Sequence, residues 1–237
     1  MATYYYNHKN VNFPVSVTEE TLRVTPHSFF KNETTWEESS IYYFYDSVPV
    51  DKEATILDIG AQSGLYTLYA KHLPKCKFYA FEPFPDTYKL LNDNIALNNI
   101  NNVMTYNIGI SNYKGETILN TSASHNGLHT LGSTPLRFND VHPIKINVDT
   151  IDNIFYNNDI PVDFIKIDTE GWEYFILKGG EKTIQKYKPF IQIEWNETNM
   201  LQCSVNSLDF KKYIEHDMGY KTKNLIGEEL FLVPNTD

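Results

Sequence analysis

An open α/β fold, a parallel sheet with helices on both faces, follows from three features of the sequence. Apolar strand-like runs alternate with helical patterns from residue 54 to residue 108. Such alternation closes into a parallel sheet, because each crossover helix returns the chain to start the next strand in the same direction. The stretch 56–66, ILDIGAQSGLY, is apolar up to Asp58, turns through Gly60 and Gly64, and then opens a helical pattern. A strand, a tight turn and a helix start in that order leave free N–H groups facing a ligand. The next strand, KFYAFEP, ends at Glu82, 24 residues beyond Asp58. A carboxylate at about that distance can hold both hydroxyls of a ribose, so the ligand reads as a nucleoside.

The elements follow in order. Residues 1–30 are tyrosine-rich without a clear period, and are expected to form an N-terminal cover. Thr34 and Glu37 have capping-box spacing ahead of WEESSIYYFYDSV, which predicts a helix ending before Pro49. The core then reads strand 54–59, helix 64–73, strand 77–82, helix 87–97 and strand 103–108. Between about 111 and 150, turn residues such as Asn112, Gly115, Gly132 and Pro135 separate short β-like runs, an insertion at the functional end of the sheet. Within it, SASHNGLHTLGS carries His125 and His129 among glycines and hydroxyls, which suits a binding loop and a polar surface connection equally.

Residues 162–167 read as a strand ending in Asp168, Glu170 and Gly171, before a helical run closed by Gly179 and Gly180. A side-chain period of two puts Lys166 and Asp168 on one face. PFIQIEWN gives a further strand ending in Glu194 and Trp195. A helix around 207–218 follows, and then two runs, 220–224 and 229–233, that can pair as antiparallel edge strands. The stretch NDNIALNNINN is biased to asparagine without an assigned role.

With 237 residues, 41% of them hydrophobic, the chain suits a single domain: a cover over 1–50, a core over 51–237 and the insertion within it. Twenty basic against 30 acidic side chains give a net charge of −10. Nucleic acid and anionic membranes are therefore disfavoured partners. No signal-peptide pattern and no run of roughly 20 apolar residues is present, so a soluble protein is expected. Cys76 and Cys203 have no metal-ligand spacing, which fits a reducing, cytoplasmic setting.

DIGAQSGLYT, FEPFPDTYKLLNDNIALN, VDTID and DFIKIDTEGWEYFILKGG, in this order, resemble the FkbM family of S-adenosylmethionine-dependent O-methyltransferases over about residues 33–195. The resemblance implies the class I, Rossmann-like methyltransferase fold: a seven-stranded, mostly parallel sheet with an antiparallel last strand. It implies S-adenosylmethionine as cofactor, with Asp58, Gly60, Ala61, Gln62, Ser63 and Gly64 around its methionine part. Glu82 would take the ribose hydroxyls, Pro83 and Phe84 would lie near the adenine, and Asp168 would stand beside the cofactor. The family usually has Asn where Gln62 stands, and a glutamate matching Glu37 in the helix before the first strand. The implied acceptor is a small-molecule or glycan hydroxyl, a sugar hydroxyl foremost.

Methyl transfer to a hydroxyl requires in-line positioning, exclusion of water and a base worth roughly 10²–10⁴-fold. Asp168 is the expected base, with Lys166 holding it ionised or contacting the alkoxide, Glu170 and Glu194 as further candidates, and His125 and His129 competing for the base role. The structural alternatives are that Asp168 caps the next helix and that Lys166 is a plain ion-pair partner. No metal site is expected, although Asp168, Glu170 and Glu194 could together hold a divalent ion. Three other functions compete. A nicotinamide site lacks the third close glycine of G-x-G-x-x-G; an RNA ribose 2′-O-methyltransferase fits the acidic balance poorly; a non-catalytic cofactor- or carbohydrate-binding module would use the aromatic cover.

Overall fold

The protein is described from a computed structural model covering residues 2–8, 11–19, 21, 36–122, 127–133, 137 and 139–235. The chain opens with an antiparallel hairpin, β1 (Ala2–His8) and β2 (Val11–Val17). The sequence hides this hairpin because three consecutive tyrosines obscure the period of two, yet Tyr6 and Val17 are fully buried. Helix α1 (Trp36–Asp46) precedes β3 (Thr55–Ile59). The residues beyond it do not form the expected α-helix over 64–73. They make turns and a 3₁₀ helix, Thr67–His72, in which Thr67, Leu68, Tyr69 and Ala70 are all buried. Burial of four consecutive positions leaves no polar face for an amphipathic α-helix, and the Thr67 hydroxyl is drawn down to Asp58 Oδ2 at 2.6 Å.

Strand β4 (Lys77–Phe81), α2 (Pro85–Leu97) and β5 (Val103–Tyr106) complete the first half. The insertion is a separate three-stranded sheet of β6 (Gly109–Ile110), β7 (Gly115–Ser122) and β8 (Val141–Asp149), in the order β6-β8-β7. Its long β7–β8 pairing replaces the short runs expected there. The second half carries α3 (Ile151–Ile154), β9 (Phe164–Ile167), α4 (Glu173–Lys178), α5 (Glu181–Tyr187) and β10 (Phe190–Glu194). Helices α6 (Glu197–Gln202) and α7 (Ser207–Lys212) follow, then β11 (Tyr220–Ile226) and β12 (Glu229–Pro234).

The main sheet has seven strands in the order β11-β12-β10-β9-β3-β4-β5. Strands β10, β9, β3, β4 and β5 are parallel, and β12 pairs antiparallel with both of its neighbours. One face, with Ile56, Phe78, Phe164 and Phe231, packs under α1 and the hairpin; the other, with Leu57, Ile59, Ile165 and Ile193, packs under α4, α5 and α7. Each such side chain contributes about 1.5–3 kcal/mol by leaving water. The first face turns polar towards the strand ends, where Asp58, Lys166 and Gln192 lie side by side in register. No helix among the described residues is long and apolar enough to cross a membrane.

Candidate active site

The polar strand ends converge on the turn after β3. Gly60 has φ +78°, and a Cβ there would lie 1.9 Å from the carbonyl oxygen of Asp168. The ends of β3 and β9 therefore close together only around a residue without a side chain. The N–H groups of Gly60 and Ala61 both donate to Phe81 O at 3.0 Å, which fastens the turn to β4. Gln62, with φ +50°, donates its N–H to Glu82 Oε2 at 2.9 Å. Asparagine adopts that left-handed conformation more readily than glutamine, so Gln62 holds the turn at some conformational cost.

Glu82 is buried, and its other oxygen, Oε1, accepts from Phe84 N at 2.9 Å. Burial pushes its pKa up to about 7, against the opposing pull of the two N–H donors and Lys166. A carboxylate has about four acceptor positions, so each oxygen keeps one for a ligand hydroxyl. Asp58 is also buried, and its Oδ1 has no hydrogen-bond partner among the described residues. That oxygen faces the Lys166 ammonium, 3.4 Å away, so Asp58 is an internal counter-charge beneath the turn. On Glu82, which faces the cavity with an acceptor position spare on each oxygen, the residues present fit the ribose of S-adenosylmethionine.

Lys166 is buried beneath the turn. Its Nζ lies 3.1 Å from Gly60 O, 3.4 Å from Asp58 Oδ1 and 3.6 Å from Asp168 Oδ2, and 4.9 Å from the centre of the Tyr66 ring. Burial disfavours the ammonium, but Asp168, Asp58 and Glu229 outweigh it and hold the pKa above the usual lysine value. Lys166→Met is expected to leave Asp58 without its counter-charge in the interior. The loss is about 3–5 kcal/mol of stability, read from urea unfolding midpoints.

Asp168 opens into a cavity of about 190 Å³ together with Gln62, Glu82, Lys166 and Glu170. Its side chain is 37% exposed, and among the described residues its carboxylate is held only by Lys166. It does not cap the next helix: Glu173 Oε1 accepts from Thr169 N at 2.8 Å and Thr169 Oγ1 at 2.9 Å. Glu170 has φ +58°, and its Oε2 accepts from Arg137 at 2.9 Å and Asn199 Nδ2 at 2.7 Å. Asn199 Nδ2 also reaches both Glu194 oxygens, at 3.1 and 3.0 Å. One oxygen each of Asp168, Glu170 and Glu194 lie within 4.8 Å of one another, close enough for a divalent ion to bridge.

Burial raises the carboxyl pKa of Glu173 to about 7, and those of Glu170 and Glu229 to about 8. Together with Glu82 these groups bind protons more tightly folded than unfolded. Their contribution to stability is therefore present near pH 4.5 and is lost as pH rises through 7–8. The ligand-free protein is expected to melt at a higher temperature at pH 6 than at pH 8.5, which differential scanning fluorimetry reads directly.

Of the expected cofactor residues, Gly60, Ala61, Gln62, Glu82, Pro83 and Asp168 line the cavity. Asp58, Ser63 and Gly64 lie behind the turn, and the Phe84 ring packs edge-on against His129 at 4.5 Å. Of the expected catalytic residues, Lys166, Asp168 and Glu170 line it, whereas Glu194 stands behind Asn199. His125 and the Glu37 side chain fall outside the described residues. Tyr66, Trp172, Leu131 and His129 also line the cavity. His129 is a candidate from its loop, and Trp172 directly follows the acidic block, so its position was a usable signal; Leu131 arrives by the insertion's folding, which no spacing reveals. Burial lowers the His129 pKa, against a weak 3.4 Å contact between Nε2 and Ser122 O.

The strand order, the single reversed strand and the ligand-ready turn define a class I methyltransferase fold. The chain matches the methyltransferase FkbM domain over residues 58–222, and belongs to that family. It is 25% identical over 155 residues to Methyltransferase 1 of Beauveria bassiana, covering 57% of this chain and 61% of that protein. Methyltransferase sdnD of Sordaria araneosa is 25% identical over 193 residues, covering 69% of this chain and 74% of the relative. The crystal structure of methyltransferase FkbM from Methylobacillus flagellatus KT superposes with a TM-score of 0.54 at 19% identity, over 88% of this chain and 50% of that one. The chain thus spans less than two thirds of the B. bassiana protein and half of the M. flagellatus chain.

Proposed function

We propose that this chain is an S-adenosylmethionine-dependent O-methyltransferase acting on a hydroxyl of a small molecule or glycan, a sugar hydroxyl foremost. One observation carries the reading: a buried carboxylate with spare acceptor positions, Glu82, and an open carboxylate, Asp168, face one cavity across the Gly60 turn. Glu82, Gly60, Ala61 and Gln62 would hold the cofactor, with Asp58 and its partner Lys166 supporting the turn from beneath. When bound, the cofactor supplies a methyl group made electrophilic by its sulfonium. The chain's own residues align the hydroxyl, and Leu131 and Trp172 keep water from the cavity. Asp168 accepts the hydroxyl proton, and Lys166 provides the counter-charge at 3.6 Å.

Only ionised Glu82 can accept from both ribose hydroxyls. With its pKa at about 7, S-adenosylhomocysteine is expected to bind roughly tenfold more weakly at pH 6 than at pH 8, as titration calorimetry would record. The acceptor class is tested by methyl-labelled S-adenosylmethionine offered with a panel of sugars and glycosides, with and without chelator. Label on a sugar oxygen supports the proposal. Label found only on RNA or only on nitrogen would replace the acceptor, and loss of transfer with chelator would bring the Asp168–Glu170–Glu194 group into the chemistry as a metal site.

A further inference from the structure

The asparagine bias of α2 has a structural use that reaches the ligand turn. Asn94 and Asn98 stand one helical turn apart and are both buried. Asn98 donates Nδ2 to Ser16 O at 2.7 Å and accepts Ser16 N on Oδ1 at 2.8 Å, the two bonds a neighbouring strand would make. Asn94 Oδ1 accepts Thr18 N at 3.0 Å. The end of β2 and the residues after it are thus held along α2 as along a sheet edge.

Asn94 then passes this hold to the turn. Its Nδ2 donates to Thr21 Oγ1 at 2.9 Å and to Ser63 O at 2.8 Å. Thr21 is itself buried and fixed by Thr18, its N–H lying 3.1 Å from Thr18 Oγ1. Ser63 sits between Gln62, whose N–H holds Glu82, and Gly64, with φ +103°. A second tie runs the same way, from the Tyr6 hydroxyl of β1 to the carbonyl of Leu65, a residue of the cavity wall. Both amide protons and the carbonyl oxygen of Asn94 are engaged, so neither the strap nor the turn can shift without breaking a buried bond.

We propose that Asn94 is a positioning residue: it couples docking of an N-terminal strap, β1, β2 and the segment through Thr21, to the geometry of the cofactor turn. The coupling rests on the cofactor reading of that turn. By linkage it is reciprocal: the factor by which the docked strap raises cofactor affinity is the factor by which the cofactor tightens strap docking.

Single-residue amide exchange on the full chain, with Thr21→Val and Asn94→Ala, tests this. Thr21→Val removes the hydroxyl that Asn94 holds and changes no atom of the turn. In the ligand-free protein both variants are expected to speed exchange at Thr18 and at Gln62 together. S-adenosylhomocysteine is expected to slow exchange at Ser16 and Thr18 in the unaltered chain, and its affinity to fall about fivefold or more in either variant. A merely structural asparagine would leave the ligand-induced slowing and the affinity unchanged. Faster exchange at Thr18 with Gln62 unchanged in Thr21→Val would overturn the coupling. The ligand-free arm keeps the two readings separate: if S-adenosylhomocysteine fails to bind the unaltered chain, the cofactor reading falls and the Gln62 exchange still decides the coupling.

Discussion

Gly60→Ala is expected to destabilise the protein by about 4 kcal/mol or more and to abolish binding of S-adenosylhomocysteine. Two costs combine. The left-handed backbone at φ +78° disfavours any Cβ by roughly 1–2 kcal/mol. The added carbon would also meet the Asp168 carbonyl oxygen at 1.9 Å, and that atom is main chain rather than a yielding side chain. Neither strand can retreat, because β3 and β9 are paired through Ile59 and Ile167 and the Asp168 N–H donates to Ile59 O at 3.1 Å. Gly219 provides the control. It has φ +67° with nothing within 4 Å of a built Cβ, so Gly219→Ala should cost only the conformational part, about 1–2 kcal/mol. Urea unfolding of the two variants side by side separates the clash from the backbone preference.

Asp168→Asn is expected to lower turnover by roughly 10²–10⁴-fold while leaving the affinity for S-adenosylhomocysteine within about threefold. The amide keeps the shape of the carboxylate and removes its ability to take a proton. Asp168 is singled out from its acidic neighbours by its surroundings: Glu170 is occupied by Arg137 and Asn199, Glu194 by Asn199, and Glu173 by the Thr169 turn. Glu170→Gln should therefore reduce turnover far less. Single-turnover measurements at saturating cofactor distinguish the two variants, and equal losses in both would remove the special role of Asp168.

What could be read from the sequence was local. The Gly60 turn, Glu82 and the Lys166–Asp168 pair each sit within a few residues of a strand end, so strand period and turn chemistry were enough to bring them together. The antiparallel pairing of β12 was legible for the same reason, because a short glycine-containing link joins it to β11. What escaped depends on contacts distant in sequence. The tyrosine run of β1 carries no alternation, and the hairpin it belongs to is held at Ser16 and Thr18 by Asn98 and Asn94, more than 70 residues away. Leu131 comes to the cavity beside the candidate His129 because Thr130 donates its hydroxyl to Glu170 O at 2.9 Å, a bond between the insertion and the acidic turn that no spacing announces. The 3₁₀ segment after the turn misled for a related reason: Thr67 to Ala70 are buried, and Leu68, Tyr69 and Ala70 share one cluster with residues of α1 and the hairpin.

Glu82 and the Gly60 turn are proposed to form the cofactor site. Isothermal titration with S-adenosylhomocysteine, with NAD as a control and repeated on Glu82→Ala, tests it most directly. Micromolar binding of S-adenosylhomocysteine that weakens at least tenfold in the variant, with no binding of NAD, is the predicted result. Binding of NAD, or S-adenosylhomocysteine affinity unaltered by the loss of Glu82, would contradict it.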